Sequence, residues 1–261
     1  MDDIILVTGA QGTIGSMLRR SLRRPDRHLR LLDVAPLSPL EPDENAELIA
    51  GSFLDPEIMK IACRDARAIV HLGGLSHAGF SWPEYLDANI HGTYLLAEAA
   101  RHAGVERVVY ASSNHAVGFA PLSDKGPLPD NEYPRPDTYY GVSKVASEAL
   151  LSMFHDRHGL DAVCLRIGSY LERPINLRSL WSWLSPADCT RLVEAALTTP
   201  SPGFRVVWGV SANSRAAVSL DEGRAIGYEP LDNAEDYAHE ITGDRTEWKF
   251  VGGPYTAPDR D

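Results

Sequence analysis

Cysteine is scarce in this chain: three residues in 261, Cys63, Cys164 and Cys189, an odd number with no C-x-x-C spacing. That excludes a disulfide-stapled secreted scaffold and points to a reducing cytoplasm, with the thiols as core residues. Positive charge is short too, with 25 Lys+Arg against 36 Asp+Glu and a formal net charge of −11. Nucleic-acid binders and polybasic membrane-surface proteins need a basic face to meet phosphate, so neither class fits. No run approaches the ~18 uninterrupted apolar residues of a membrane-spanning helix. The opening Met1-Asp2-Asp3-Ile4 is acidic and runs into a strand-like segment, so no signal peptide is expected. Internal repeats are lacking.

What is present is ordinary globular composition, 44% hydrophobic and 23% charged. Short apolar runs alternate with longer amphipathic ones. Residues 4–8, 28–33, 46–50, 68–72, 107–111 and 161–167 read as strands, and 14–22, 56–63, 85–103 and 139–158 carry apolar positions at helical spacing. Strands apolar throughout, separated by helices, imply a parallel sheet covered on both faces. Asp55-Pro56 marks a helix start, and Gly104 and Gly159 mark helix ends. Residues 121–136, with five prolines, read as a loop. Further on, a helix is expected from Ser185 to about Thr198, a strand over 205–209 and a short helix over 219–226, while the Gly/Pro/Asp-rich tail from Gly243 is expected to be peripheral. The fold expectation is α/β, a Rossmann-type doubly wound parallel sheet (residues 1–170) with a small C-terminal substrate cap (171–261) that is not an independent domain.

Two patterns carry chemistry. Thr8-Gly9-Ala10-Gln11-Gly12-Thr13-Ile14-Gly15 follows the first strand and opens the first helix. Its glycines permit a tight turn and a close backbone approach to a pyrophosphate, for which the helix N-terminus supplies amide donors. Asp33 closes the second strand 18 residues after Gly15 (33 − 15), where an acid binds the adenosine ribose diol; its charge would repel a 2′-phosphate, so the cofactor is expected to be NAD. Arg30, inside that strand, is expected to point elsewhere. Tyr140-Gly141-Val142-Ser143-Lys144 puts a phenol and an ammonium four residues apart on one helix face. A tyrosine of ordinary pKa, about 10, is a poor base at neutral pH, and a nearby cation stabilises its phenolate. Nine histidines show no recognised ligand spacing, so no metal is expected. Arg19-Arg20 with Arg23-Arg24 reads as the exposed end of the first helix, and Trp181 and Trp183 as core residues or ligand contacts.

Together with His71-Leu72-Gly73-Gly74, Asn89 in Asn89-Ile90-His91-Gly92-Thr93 and Ser112-Ser113, these patterns resemble the extended short-chain dehydrogenase/reductase superfamily over roughly residues 1–170. Ser112 to Phe119, Arg166-Ile167-Gly168-Ser169, Asn176-Leu177-Arg178 leading into Trp183-Leu184-Ser185, and Val207 to Asn213 look like the bacterial uronate dehydrogenases. The resemblance implies a Ser113, Tyr140 and Lys144 catalytic site. It implies NAD contacts at Gly9, Gln11, Gly12, Thr13, Ile14, Gly15, Asp33, Ser52, Phe53, Leu72, Gly73, Gly74, Asn89, Tyr140, Lys144 and Ile167. It also implies a sugar site at Ser76, Ser113, Asn114, His115, Tyr140, Ser169 and Arg178, with Arg178 able to take a C6 carboxylate bidentately.

The implied reaction is NAD-dependent oxidation of the anomeric hydroxyl of a hexuronate to the aldarolactone, in a cytoplasmic homo-oligomer with no nucleic-acid or membrane partner. Rival readings are a dehydrogenase of a neutral aldose or polyol and, more distantly, a nucleotide-sugar epimerase or dehydratase, which would need more chain after Ile167. Ser52 departs from the pattern, standing where many relatives carry an acid that contacts adenine, and Asp55 looks more like a helix cap. The surroundings of Ser76 and the stretches Tyr170 to Arg173 and Ser214 to Val218 also differ, which bears on the substrate.

Overall fold

The protein is described from a computed structural model over residues 3–122, 126–242 and 246–258. The apolar runs form β1 (Asp3–Thr8), β2 (Arg27–Asp33), β3 (Ala46–Ala50), β4 (Ala68–His71), β5 (Arg107–Ser113) and β6 (Asp161–Ile167). Helices α1 (Thr13–Ser21), α2 (Pro56–Ala62), α3 (Trp82–Tyr85), α4 (Gly92–Ala103) and α5 (Tyr139–His158) fall between them. The chain continues through β7 (Ser169–Tyr170), α6 (Ser179–Ser182), β8 (Trp183–Leu184), α7 (Pro186–Thr198), β9 (Phe204–Gly209) and α8 (Asp221–Ala225). Seven strands make one sheet in the order β3-β2-β1-β4-β5-β6-β9, and the pairings β3-β2, β2-β1, β1-β4 and β4-β5 are parallel. Strand order reverses between β1 and β4, which makes this a Rossmann-type doubly wound sheet with its switch point beyond the carboxyl ends of those two strands.

Contacts divide the chain into two compact units, Met1–Ala111 with Ala146–Val163 and Ser201–Phe204, and Ser112–Val145 with Cys164–Pro200 and Arg205–Asp261. The division differs from a cut at residue 170, because compactness follows packing and the segment after β5 packs with residues far later in the chain.

In the first unit, Asp55 Oδ1 accepts from the Glu57 and Ile58 amides at 2.9 and 3.3 Å and Pro56 opens α2, so Asp55 is a helix cap. The helix over 85–103 starts earlier than its periodicity suggests, at Trp82, because Glu84 closes a capping box with Ser81. It also contains a π-helical turn, Leu86–His91, whose Asn89 carbonyl accepts from Thr93 Oγ1 at 2.6 Å and Ser147 Oγ at 3.3 Å. Of the arginines ending α1, Arg20 and Arg24 are exposed as expected, but Arg19 and Arg23 are not. Arg19 is buried, its guanidinium on Glu44 (2.6 Å) and on the carbonyls of Ser38 and Pro39, while Arg23 pairs with Glu41. These bonds tie down a proline-rich loop that lacks secondary structure to satisfy its backbone.

The second unit has two apolar clusters. One gathers Val117, Trp181, Trp208, Val210 and Val251, and the other Leu180, Trp183, Ala234 and Ile241. Val251, Gly252 and Gly253 are buried while Thr246, Glu247, Lys249, Ala257 and Pro258 are exposed, so the described tail is anchored through its middle and is not wholly peripheral. Residues 243–245 and 259–261 lie outside the described residues. Burial pushes the Cys189 thiol up to about 12, and Cys63 of the first unit likewise, as expected of inert core thiols. Among the described residues no helix is long and apolar enough to cross a membrane.

Asp188, with no exposed side-chain surface, accepts from the Leu231 and Asp232 amides at 2.9 and 3.0 Å and pairs with Arg191. Asp188→Ala is expected to lower stability by about 2 kcal/mol, the cost of orphaning those donors. Urea unfolding measures it, and a loss below ~0.5 kcal/mol would contradict this anchoring.

Candidate active site

At the switch point the loops after β1 and β4 touch. Gly9 has φ +68°, and a Cβ there would fall 2.8 Å from the Gly73 amide nitrogen, so both the turn and the close approach demand glycine. Thr8 Oγ1 bonds His71 Nδ1 (2.7 Å) and accepts from the Gly73 amide (3.2 Å). Asn89, buried, braces the next residue, its Oδ1 accepting from Leu75 N at 2.8 Å and its Nδ2 donating to Leu75 O at 3.1 Å. The chain therefore holds Gly9, Leu72, Gly73, Gly74 and Asn89 together.

Gly12 is the N-cap of α1. No side chain caps the helix, no acid lies in its first turn, and Gln11, Gly12 and Thr13 are exposed. Orphan amides and the positive end of the dipole are thus left open to an anion, as a dinucleotide pyrophosphate requires. Asp33 Oδ2 accepts from the Gln11 amide at 2.8 Å and Oδ1 from Ala35 N at 2.8 Å, fixing the carboxylate beside the glycine loop. The residues after it, Val34, Ala35 and Pro36, carry no charge. Arg30 is committed to Glu47 and to the carbonyls of Ala62 and Arg64, so no cation of this strand meets a 2′-phosphate. These features fit NAD. Ser52 Oγ accepts from Leu54 N (3.1 Å), and the Phe53 ring stands edge-on to His71 (5.3 Å), which leaves the backbone there for an adenine contact. Ser76 lies exposed in the loop after β4.

The second unit brings together Ser113, Asn114, His115, Tyr140, Lys144, Ile167, Ser169 and Arg178. Lys144 Nζ stands 5.4 Å from the centroid of the Tyr140 ring, one turn along α5, where its charge favours the phenolate. Ser113 ends β5 and caps the turn Asn114–Val117, its Oγ accepting from His115 N at 3.2 Å. That bond occupies the hydroxyl as acceptor and leaves its proton to donate. His115 Nδ1 meets Asp137 Oδ2 at 2.7 Å.

Arg178 precedes α6. Its Nη1 donates to Ser169 Oγ (3.0 Å), its Nε and Nη2 to Val251 O (3.2 and 3.0 Å), and its guanidinium lies over the Trp181 ring at 5.6 Å. Asn114 is oriented with its side-chain oxygen toward Arg178 Nη2 and its nitrogen donating to Ile167 O at 3.2 Å. Four of the five N–H groups thus meet uncharged acceptors, and among the described residues no carboxylate pairs with Arg178. Burial pushes its pKa down, and the nearby Asp137 charge pushes it back up. With one N–H left over, an incoming carboxylate takes a single charge-assisted bond; a bidentate fork would require displacing Val251 O or Ser169.

The model of the NAD dependent epimerase/dehydratase family matches residues 5–171. The chain belongs to that family. It is 37% identical over 233 residues to uronate dehydrogenase of Pseudomonas putida, covering 89% of this chain and 85% of that one. It is 35% identical to an NAD-dependent glucose-6-phosphate dehydrogenase of Haloferax volcanii, over 92% of this chain and 97% of that one. A mutant uronate dehydrogenase from Agrobacterium tumefaciens, crystallised with NAD, superposes with a TM-score of 0.91 at 36% identity over 98% of this chain and 97% of that one.

Three site-forming residues escaped the sequence reading: Asp137, the Val251 carbonyl and Tyr255. Asp137 stands between the loop read over 121–136 and the start of α5, where it carried no pattern, and a backbone carbonyl leaves no mark in sequence. The family's preference for NAD is expected to rest here on Asp33. Asp33→Asn should weaken NADH binding about tenfold and shrink the preference over NADPH, as read by fluorescence titration. Unchanged affinities for both would show that Asp33 only shapes its turn.

Proposed function

We propose that this protein oxidises the anomeric hydroxyl of a cyclic hexuronate to the aldarolactone with NAD, Tyr140 acting as base. The observation that carries this reading is Arg178, a half-buried guanidinium in the unit that holds Tyr140 and Lys144, with which no carboxylate among the described residues forms an ion pair. A substrate carboxylate supplies the missing counter-charge, in line with the uronate dehydrogenases among its relatives. A sugar phosphate fits less well, since a dianion would meet one guanidinium with one N–H to spare.

NAD supplies the hydride acceptor for C1. Ser113 donates its hydroxyl proton to O1, holding that oxygen toward the phenol. Tyr140, held as phenolate by the Lys144 charge, takes the O1 proton as the C1–H bond breaks, and the C1–O1 carbonyl of the lactone forms. Arg178 and Ser169 hold the carboxylate end, with Asn114 and His115 presenting hydrogen-bonding groups to ring hydroxyls. The second unit's residues after 170 serve as the substrate-binding part. A homo-oligomer in a reducing cytoplasm completes the proposal.

The test is NADH formation, followed by near-ultraviolet absorbance, with galacturonate, glucuronate, galactose, glucose, arabinose and glucose 6-phosphate. Uronates are expected to be the good substrates. Tyr140→Phe should lower kcat about a thousandfold. Arg178→Met should raise KM for the uronates about thirtyfold and leave the poor rates on neutral sugars alone. Turnover of neutral sugars or of glucose 6-phosphate with none of the uronates would overturn the assignment.

A further inference from the structure

Asp137 is a carboxylate with no exposed side-chain surface, and the fold clears a space for it. A Cβ on Gly118 or on Gly252, from two distant segments of the second unit, would collide with its carboxyl group. Burying an ionised carboxylate is costly unless it is paired. Its hydrogen-bond partners are His115 Nδ1 at 2.7 Å and the Thr138 hydroxyl, which donates to Oδ1 at 3.3 Å. The Arg178 charge lies close enough to feel it.

An ionised carboxylate only accepts, so His115 Nδ1 must carry the proton on this bond. In the neutral ring Nε2 then has a lone pair. The imidazole is clamped edge-to-face by Tyr140, with centroids 6.0 Å apart, and by Tyr255 at 4.8 Å. Its Nε2 makes no hydrogen bond among the described residues. The acceptor it presents is complementary to a hydroxyl donor, and the ring touching it is the catalytic phenol.

We infer that Asp137 is a positioning residue: it holds His115 in the Nδ1–H tautomer so that Nε2 accepts a hydrogen bond from a ring hydroxyl of the substrate. The inference rests on the sugar reading of the site and assigns the hydroxyl-accepting group within it. Asp137 touches neither sugar nor cofactor and acts through His115.

The experiment compares Asp137→Asn, His115→Gln and the double variant, with kcat and KM measured on whichever sugar of the panel the native enzyme turns over. Each single variant is expected to lower kcat/KM about tenfold, chiefly through KM, with NADH affinity unchanged. The double variant should fall no further than the worse single one. Losses that multiply in the double variant would show that Asp137 works through packing or through Arg178, and would overturn the inference. Because Asp137→Asn can fail to fold, the native protein provides a second readout. In 15N-histidine NMR over a pH series, the neutral-form signals that vanish in His115→Gln are expected to show a protonated Nδ1. A protonated Nε2 would overturn the inference whatever the kinetics. Failure of the uronate reading would appear instead as a native enzyme that turns over other sugars.

Discussion

The half-buried Arg178 guanidinium gives up part of its water without an ion pair to any carboxylate among the described residues, and the polar groups gathered around it in the second unit answer that cost. Desolvating an ion is costly, and hydrogen bonds to neutral acceptors offset only part of that cost. Ser169 Oγ, Val251 O and the Asn114 amide each take an N–H, the Trp181 face covers the guanidinium, and Asp137 contributes its field from a short distance. These constraints reach into the covalent chain. Gly253 lies against the Arg178 side chain, and Gly252 against Asp137, so the tail passes close to both charges only because it lacks Cβ atoms there. On the proposed reading, the Arg178 charge that these groups leave unpaired is what a sugar carboxylate meets.

Net charge acquires a more specific meaning in this light. A formal −11 repels a sugar acid and a dinucleotide alike at long range, and salt screens that repulsion beyond about 10 Å. On the proposed reading, recognition depends on local arrangements: the uncapped amides opening α1 for the dinucleotide phosphates, and Arg178 for a sugar carboxylate. Neither uses an exposed basic patch. The arginines that might have formed one, Arg19 and Arg23, are held in ion pairs with Glu44 and Glu41.

Much of this was legible in the sequence because its signals are local. Six apolar runs and the glycine loop fall where the periodicity placed them, and Asp55 caps α2 as its Asp-Pro step suggests. Tyr140 and Lys144 share a helix face because the spacing of four dictates it. What escaped depends on pairings between distant segments. Arg19 reads as a surface residue until Glu44 and two carbonyls of a proline-rich loop are found around it. The tail reads as peripheral from its glycine and proline content, yet those residues let Val251 O reach Arg178 and bring the Tyr255 ring onto His115. Asp137 was hidden for the same reason, since its purpose depends on glycines at 118 and 252.

The measurement that bears most directly on the central claim is the equilibrium affinity of a sugar acid against its neutral counterpart. It is best made by calorimetry on the NAD complex of Tyr140→Phe, where turnover is suppressed. If Arg178 supplies the counter-charge, galacturonate should bind at least about tenfold more tightly than galactose, and Arg178→Met in the same background should erase the difference. Equal affinities, or a preference for the acid that survives the loss of Arg178, would contradict the account.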